Sequence, residues 1–204
     1  MANNTQTLKP FRSYDENDVV NLFALDFNTV DLNVDDAKIQ KGVLVTVQGN
    51  GWKNDDEATS AHGIGGATST TAPGKSFANT VSLRYGTTAK VAPTKTLEVP
   101  LGLTLWDMAE RDENGEKLLY HPRKAAEMQA VISGQTMPVL TKGIVLYKGD
   151  LTLNRAVGVG VDVFNSTSGD GELSIDNPSS AQTKVGKTLG AKDENDYVLL
   201  KVEL

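Results

Sequence analysis

The stretch KGVLVTVQG, residues 41–49, decides how the rest of the chain is read. Val43, Val45 and Val47 alternate with Leu44, Thr46 and Gln48, and a glycine punctuates each end. Successive side chains of an extended backbone point to opposite faces, and branching at Cβ suits a pleated surface, so this pattern predicts a strand. Working outward, SFANTVSLRYG (76–86) alternates through Phe77, Val81, Leu83 and Tyr85, and TKTLEVPLGLTLWDM (94–108) also reads as extended. So do MPVLTKGIVLYKG (137–149), DLTLNRAVGVGVDVFN (150–165) and the closing DYVLLKVEL (196–204), which a sheet is expected to pair. In the valine-rich segment one face is expected to be buried, with Gly158 and Gly160 marking a close neighbour on the other.

Between the strands the punctuation is equally clear. ERDENGEK (110–117) carries Asn114-Gly115 at its tip and predicts a hairpin turn. HPRKAAEMQAVISGQ (121–135) starts as one helical turn and then extends, and residues 166–180 read as a connection rich in Ser, Asp, Gly and Pro. DENDVVNLFAL (15–25) is open between a helical turn and a strand. With 19 glycines, seven prolines and only 6% aromatics, the core has to rest on Val, Leu and Ile. The fold class that follows is mainly β: an antiparallel β-sandwich or barrel-like domain with long polar loops and little helix.

The domain reading is a polar N-terminal arm over 1–12 and a β-rich body over 13–204, either one domain or two small β subdomains. A long polar loop spans 50–76, where Gly, Ser, Thr and Asp dominate and no periodicity survives. Such a loop buries too little apolar surface to offset its ordering entropy, so it is expected at the surface or ordered by a partner.

Twenty basic against 26 acidic residues give a net charge of −6, spread along the chain. Direct nucleic-acid binding is not expected, because it needs a concentrated basic face. No apolar run reaches the length of a membrane-spanning helix, and MANNTQTLKP lacks the layout of a signal peptide, so a soluble, unprocessed protein with no membrane partner is expected. The absence of cysteine removes disulfides, thiolate metal sites and cysteine nucleophiles, and two histidines, His62 and His121, leave little for a histidine-built metal site.

Two motifs imitate binding loops and fail on inspection. STTAPGKS (69–76) ends in the Gly-Lys-Ser of a phosphate loop, but Ser69 stands where its first glycine belongs. The segment before it is loop-like, and the segment after it alternates as a strand where a helix N-terminus is needed. DLNVDDAKIQKG (31–42) imitates a calcium loop through Asp31, Asn33 and Asp35, yet has Asp36 at the turn glycine and Gly42 at the bidentate glutamate. No nucleophile elbow or dinucleotide fingerprint occurs; Asp55-Asp56 reads as a solvated pair and His121 as structural or surface. No catalytic, cofactor or metal residues are assigned and no enzyme activity is expected, although a site assembled from distant Asp, Glu, Tyr and Lys stays open.

Three segments carry a resemblance: FRSYDENDVVNLFALD (11–26), PLGLTLWDMAERDENGEKLLYHPRKAAEMQAVISGQTMPVLTKGIVLY (100–147) and VGKTLGAKDENDYVLLKVEL (185–204). In that order they resemble the head decoration, or capsid cement, proteins of tailed bacteriophages, over about half the chain. The resemblance leads one to expect Gly before Tyr197, where this chain has Asp196. It implies a virion structural protein, made in the host cytoplasm, that binds the capsid exterior, has the major capsid protein as partner and assembles as a homo-trimer. Candidate capsid or subunit contacts are Phe11, Arg12 and Tyr14, since aromatics and Arg are enriched at interface hot spots; alternatively Phe11 and Tyr14 pack on the protein's own sheet. Trp52, in the polar loop, is a further candidate, whereas Trp106 is expected in the core. The alternative function is a carbohydrate- or host-surface-binding β module, with Trp52 and Tyr85 stacking on sugars.

Overall fold

The computed structural model describes residues 7–10, 18–21, 23–25, 38–48, 90–132, 135–149, 151, 157–167, 170–175 and 182–204. Its strands, in chain order, begin with β1 (Thr7–Pro10), β2 (Val19–Val20), β3 (Ala24–Leu25), β4 (Lys38–Ile39) and β5 (Leu44–Val47). Next come β6 (Lys90–Pro93), β7 (Gly102–Thr104), β8 (Asp107–Ala109), β9 (Ala130–Val131) and β10 (Val139–Leu140). The last are β11 (Lys142–Lys148), β12 (Asp162–Asn165), β13 (Leu173–Ser174), β14 (Lys184–Thr188) and β15 (Val198–Glu203). A 3₁₀ turn (Leu118–Tyr120) and one short helix, α1 (Pro122–Glu127), complete the described elements.

The strands form three sheets. The first has the order β1-β11-β15-β14-β12-β13 and is antiparallel throughout. The second, β2-β10-β7-β5-β6-β3, is antiparallel except for the parallel pair β3 and β6. The third is the small sheet β4-β8-β9, in which β8 and β9 run parallel. The fold is mainly β, and the described strands close no barrel.

The second sheet is the middle layer. Leu44 faces a core shared with Val145, Tyr147, Val163 and Leu200 of the first sheet. Its neighbours Val43 and Val45 face a second core with Met108 and Val131 of the third sheet. Leu140 and Val139 divide between the two cores in the same way. Burial on both faces explains why Leu44, on the face opposite the three valines, is apolar as well. Gly102 lets β7 close on β10, because a Cβ there would lie 2.3 Å from the Leu140 carbonyl oxygen.

The third core, Ala109, Leu118, Ala125, Ala130 and Ile132, seats α1 on the third sheet. At six residues α1 is too short to persist alone, so this packing and an ion pair from Lys124 to Asp112 hold it.

Several expectations hold in detail. Residues 112–116 form the hairpin turn and β15 is paired on both edges. In the segment 15–25, left open between helix and strand, the described residues include the short strands Val19–Val20 and Ala24–Leu25. Others need correction. Thr7–Pro10, within the stretch read as an arm, form the edge strand of the first sheet, with Leu8 fully buried. Among its described residues the valine-rich segment is strand only from Asp162. Gly158 to Val161 is a turn held by Thr188, whose backbone carbonyl accepts from Gly160 and whose backbone N–H donates to Val161. Gly160 has φ of +77° and nothing within 4 Å of its missing Cβ, so these glycines serve a turn, and Val159 is 80% exposed. The connection after Ser166 contains β13, whose Leu173 is buried in the first core.

Candidate docking surface

Residues 94–101, read from the sequence as part of a strand, form a loop fastened to both sides of the sandwich. Pro100 cannot donate to a ladder, which ends the alternation there. At one end the Thr94 N–H donates to the Leu44 carbonyl at 2.9 Å, and at the other the Leu101 N–H donates to the Val45 carbonyl at 2.7 Å. Between them, Glu98 N–H donates to the Lys95 carbonyl at 3.1 Å while the Glu98 carboxylate accepts the Lys95 N–H at 3.0 Å, closing a tight turn. The Thr46 hydroxyl donates to the Val99 carbonyl at 2.7 Å.

Asn165, buried in the first sheet, supplies the remaining tie. Its amide nitrogen donates to the Thr96 carbonyl at 3.1 Å, and its side-chain oxygen accepts the Thr183 N–H at 2.7 Å. A buried side-chain amide with both ends engaged fixes one geometry, because any other leaves a polar group unpaired in the core.

What this framework presents is apolar. Leu97 is 80% and Val99 73% exposed, on either side of the folded-back Glu98. Beside Val99 lies an open depression of about 570 Å³, with Thr46, Val47 and Gln48 on one wall and residues 98–101 on the other. Two aliphatic side chains fixed in water on a well-bonded loop are pre-organised for contact: their burial by a partner releases hydration without first ordering the loop.

The charged cluster near α1 is structural. The Asp112 carboxylate accepts the N–H groups of Asn114 and Glu116, both at 2.8 Å, and pairs with Lys124. The Lys124 hydrogen bond, the largest cause, and those backbone donors hold the Asp112 carboxyl below the usual carboxylate range against the opposing effect of burial. The same hydrogen bond from Asp112 raises the Lys124 ammonium above its usual value. His121 is exposed, with Nε2 3.7 Å from a Glu116 carboxylate oxygen. Among the described residues, no group of three or more His, Asp or Glu converges as a metal-ligand set.

The sequence-derived contacts Phe11, Arg12, Tyr14 and Trp52 lie outside the described residues, as do Tyr85, the loop 50–76, and residues 31–37 of the calcium-loop imitation. Trp106 corrects its expectation. It sits in the bend between β7 and β8, 37% exposed, because the strand expected to bury it breaks there into two strands of different sheets. The loop 94–101 was missed because its alternation of Leu97 and Val99 with Thr96 and Glu98 looks like a strand; Pro100 is the signal against one. No known protein family, curated protein or solved structure matches this chain.

Proposed function

We propose that this chain is a virion structural protein that binds the outer surface of an assembled phage capsid and stabilises contacts between coat subunits, acting as a trimer. The resemblance of segments 11–26, 100–147 and 185–204 to capsid cement proteins supports this reading, and the rigid loop displaying Leu97 and Val99 is the observation that carries it. A ligand that binds the closed lattice and not separated subunits raises the free energy needed to open the shell.

The magnitudes argue for several copies acting together. Burying Leu97 and Val99 is worth about 1.5–3 kcal/mol each, against an association cost of roughly 4–15 kcal/mol. One loop alone therefore binds weakly, whereas three on a trimer make the second and third contacts intramolecular. Co-sedimentation with assembled heads tests the proposal. The wild-type chain is expected to pellet with heads, and Leu97→Asp with Val99→Asp to stay in the supernatant at unchanged thermal stability. Wild-type protein that ignores heads overturns the proposal, and a glycan-array signal in its place would favour the carbohydrate-binding alternative.

A further inference from the structure

The outer face of the first sheet is basic on an acidic chain. Along β11 and β15 the buried residues are Val145, Tyr147, Val198, Leu200 and Val202, so the intervening positions of both strands face outward. That face carries Lys142 and Lys148 from β11, Lys201 from β15, Lys184 and Lys187 from β14, and Lys9 from β1. Among the described strand residues its acids are Glu203 and Asp162. Among the described strand residues, six of the chain's 20 basic and two of its 26 acidic side chains give this face a local balance of 6 − 2 = +4, on a protein whose total is −6.

The internal pairing leaves this charge unbalanced. Asp162 pairs with Lys184 at 2.8 Å, and Glu203 pairs with Lys201 of its own strand at 3.3 Å. Lys187 stands in register between Asp162 of β12 and Lys201 of β15, so one acid is shared among Lys184, Lys187 and their neighbours. Lys9 and Lys148 share one aromatic ring, with ammonium nitrogens 4.5 and 5.7 Å from the centre of Tyr197. Six lysines against two acids leave the described part of this face positive, and a negatively charged partner complements it.

We infer that this face docks an acidic protein surface. Aliphatic residues separate the lysines: Ile144 lies opposite Lys201, and Leu146 lies between Lys9 and Leu199. A polyphosphate chain would leave these side chains uncovered, and among the described residues the face presents no arginine to grip phosphate bidentately. A protein surface offering both carboxylates and apolar contact satisfies it. Assigning that surface to the coat lattice rests on the proposed function; the chemistry of the face does not.

The full chain, its Lys187→Gln and Lys187→Glu variants, and the double variant Lys187→Gln with Lys201→Gln are measured on immobilised poly-L-glutamate. Salt is low in one series and about 0.3 M in another, where the screening length is roughly 6 Å. Wild-type protein is expected to bind at low salt and release at high salt. The double variant should bind at least about tenfold more weakly, with a melting temperature essentially unchanged because the ion pair it removes is exposed, which a purely structural role for these lysines would not give. Wild-type protein that does not bind, variants that bind equally, or tighter wild-type binding to duplex DNA would each overturn the inference. The uncharged Gln variants keep the test valid if Lys187→Glu fails to fold. Assembled heads separate the two proposals. Binding to poly-L-glutamate but not to heads overturns the proposed function alone, while head binding that the lysine variants leave intact overturns the assignment of this face to the coat lattice.

Discussion

Two turns with nearly the same sequence show how single residues set local geometry. Asp112-Glu113-Asn114-Gly115 and Asp193-Glu194-Asn195-Asp196 each fold so that the aspartate carboxylate accepts two backbone N–H groups, from Asn114 and Glu116 and from Asn195 and Tyr197. In each, the fourth residue is left-handed, Gly115 at φ +82° and Asp196 at φ +66°. Glycine takes that conformation freely and aspartate at some cost, so Asp196→Gly is expected to stabilise the protein by about 0.5–1 kcal/mol and Gly115→Ala to destabilise it by about 1 kcal/mol. Thermal or urea unfolding of the two variants checks both signs.

Asp112 adds a pH dependence whose direction follows from its pairing. Its carboxyl is lowered in the folded state, so its contribution is present above the ordinary value of 3.8 and is lost as pH falls through the folded value. Lys124 is raised, so its contribution is present below 10.5 and is lost as pH rises through its folded value. Stability from this pair is flat across neutral pH and falls at both extremes. In Asp112→Asn, unfolding followed from pH 7 to 2 is expected to start from a lower stability and to show a shallower acid limb. The turn at 112–116 was legible in sequence because Asn-Gly marks it, whereas the turn at 193–197 lacks that pair and was expected only through the resemblance. The glycines at 158 and 160 were misread because a strand with a close neighbour and a tight turn share the same glycine-valine alternation.

At the scale of elements, the loop 94–101 depends on partners far away in sequence. Thr46→Val keeps the shape of the side chain and removes the hydroxyl that holds the Val99 carbonyl, for an expected loss of about 1 kcal/mol. Asn165→Ala strands both the Thr96 carbonyl and the Thr183 N–H, for a loss of about 2–3 kcal/mol. Both variants should weaken partner binding without touching Leu97 or Val99, because the loop then has to be ordered on contact. Strand existence in β5, β11 and β15 was readable from period-two alternation. The bond from Asn165 to Thr96 spans 69 positions and leaves no local signal, so nothing in 94–101 itself announces a fixed loop. The lysine face was half legible: Lys142 and Lys148 are six positions apart and must share a face, but bringing Lys187 opposite Lys201 needs the register of two strands.

At the scale of the molecule, three stacked sheets depend on a middle layer buried on both sides and on a last strand that closes the first sheet. β15 lies between β11 and β14 and places Val198, Leu200 and Val202 in the first core, all fully buried. At about 1.5–3 kcal/mol each, these side chains match a large part of the 5–15 kcal/mol that stabilises a typical domain. Removing residues 198–204 is therefore expected to abolish cooperative folding, read by loss of the unfolding transition. The alternation in 196–204 announced a paired strand, but its place between two others is a property of the sheet. A protein that grips a closed shell, as proposed, raises the temperature at which assembled heads release packaged DNA, and measuring that temperature is the most direct test. Titrating the wild-type chain onto heads is predicted to raise that temperature to a plateau, with no rise when Leu97→Asp and Val99→Asp are combined. A release temperature that stays constant at saturating wild-type protein would contradict the account.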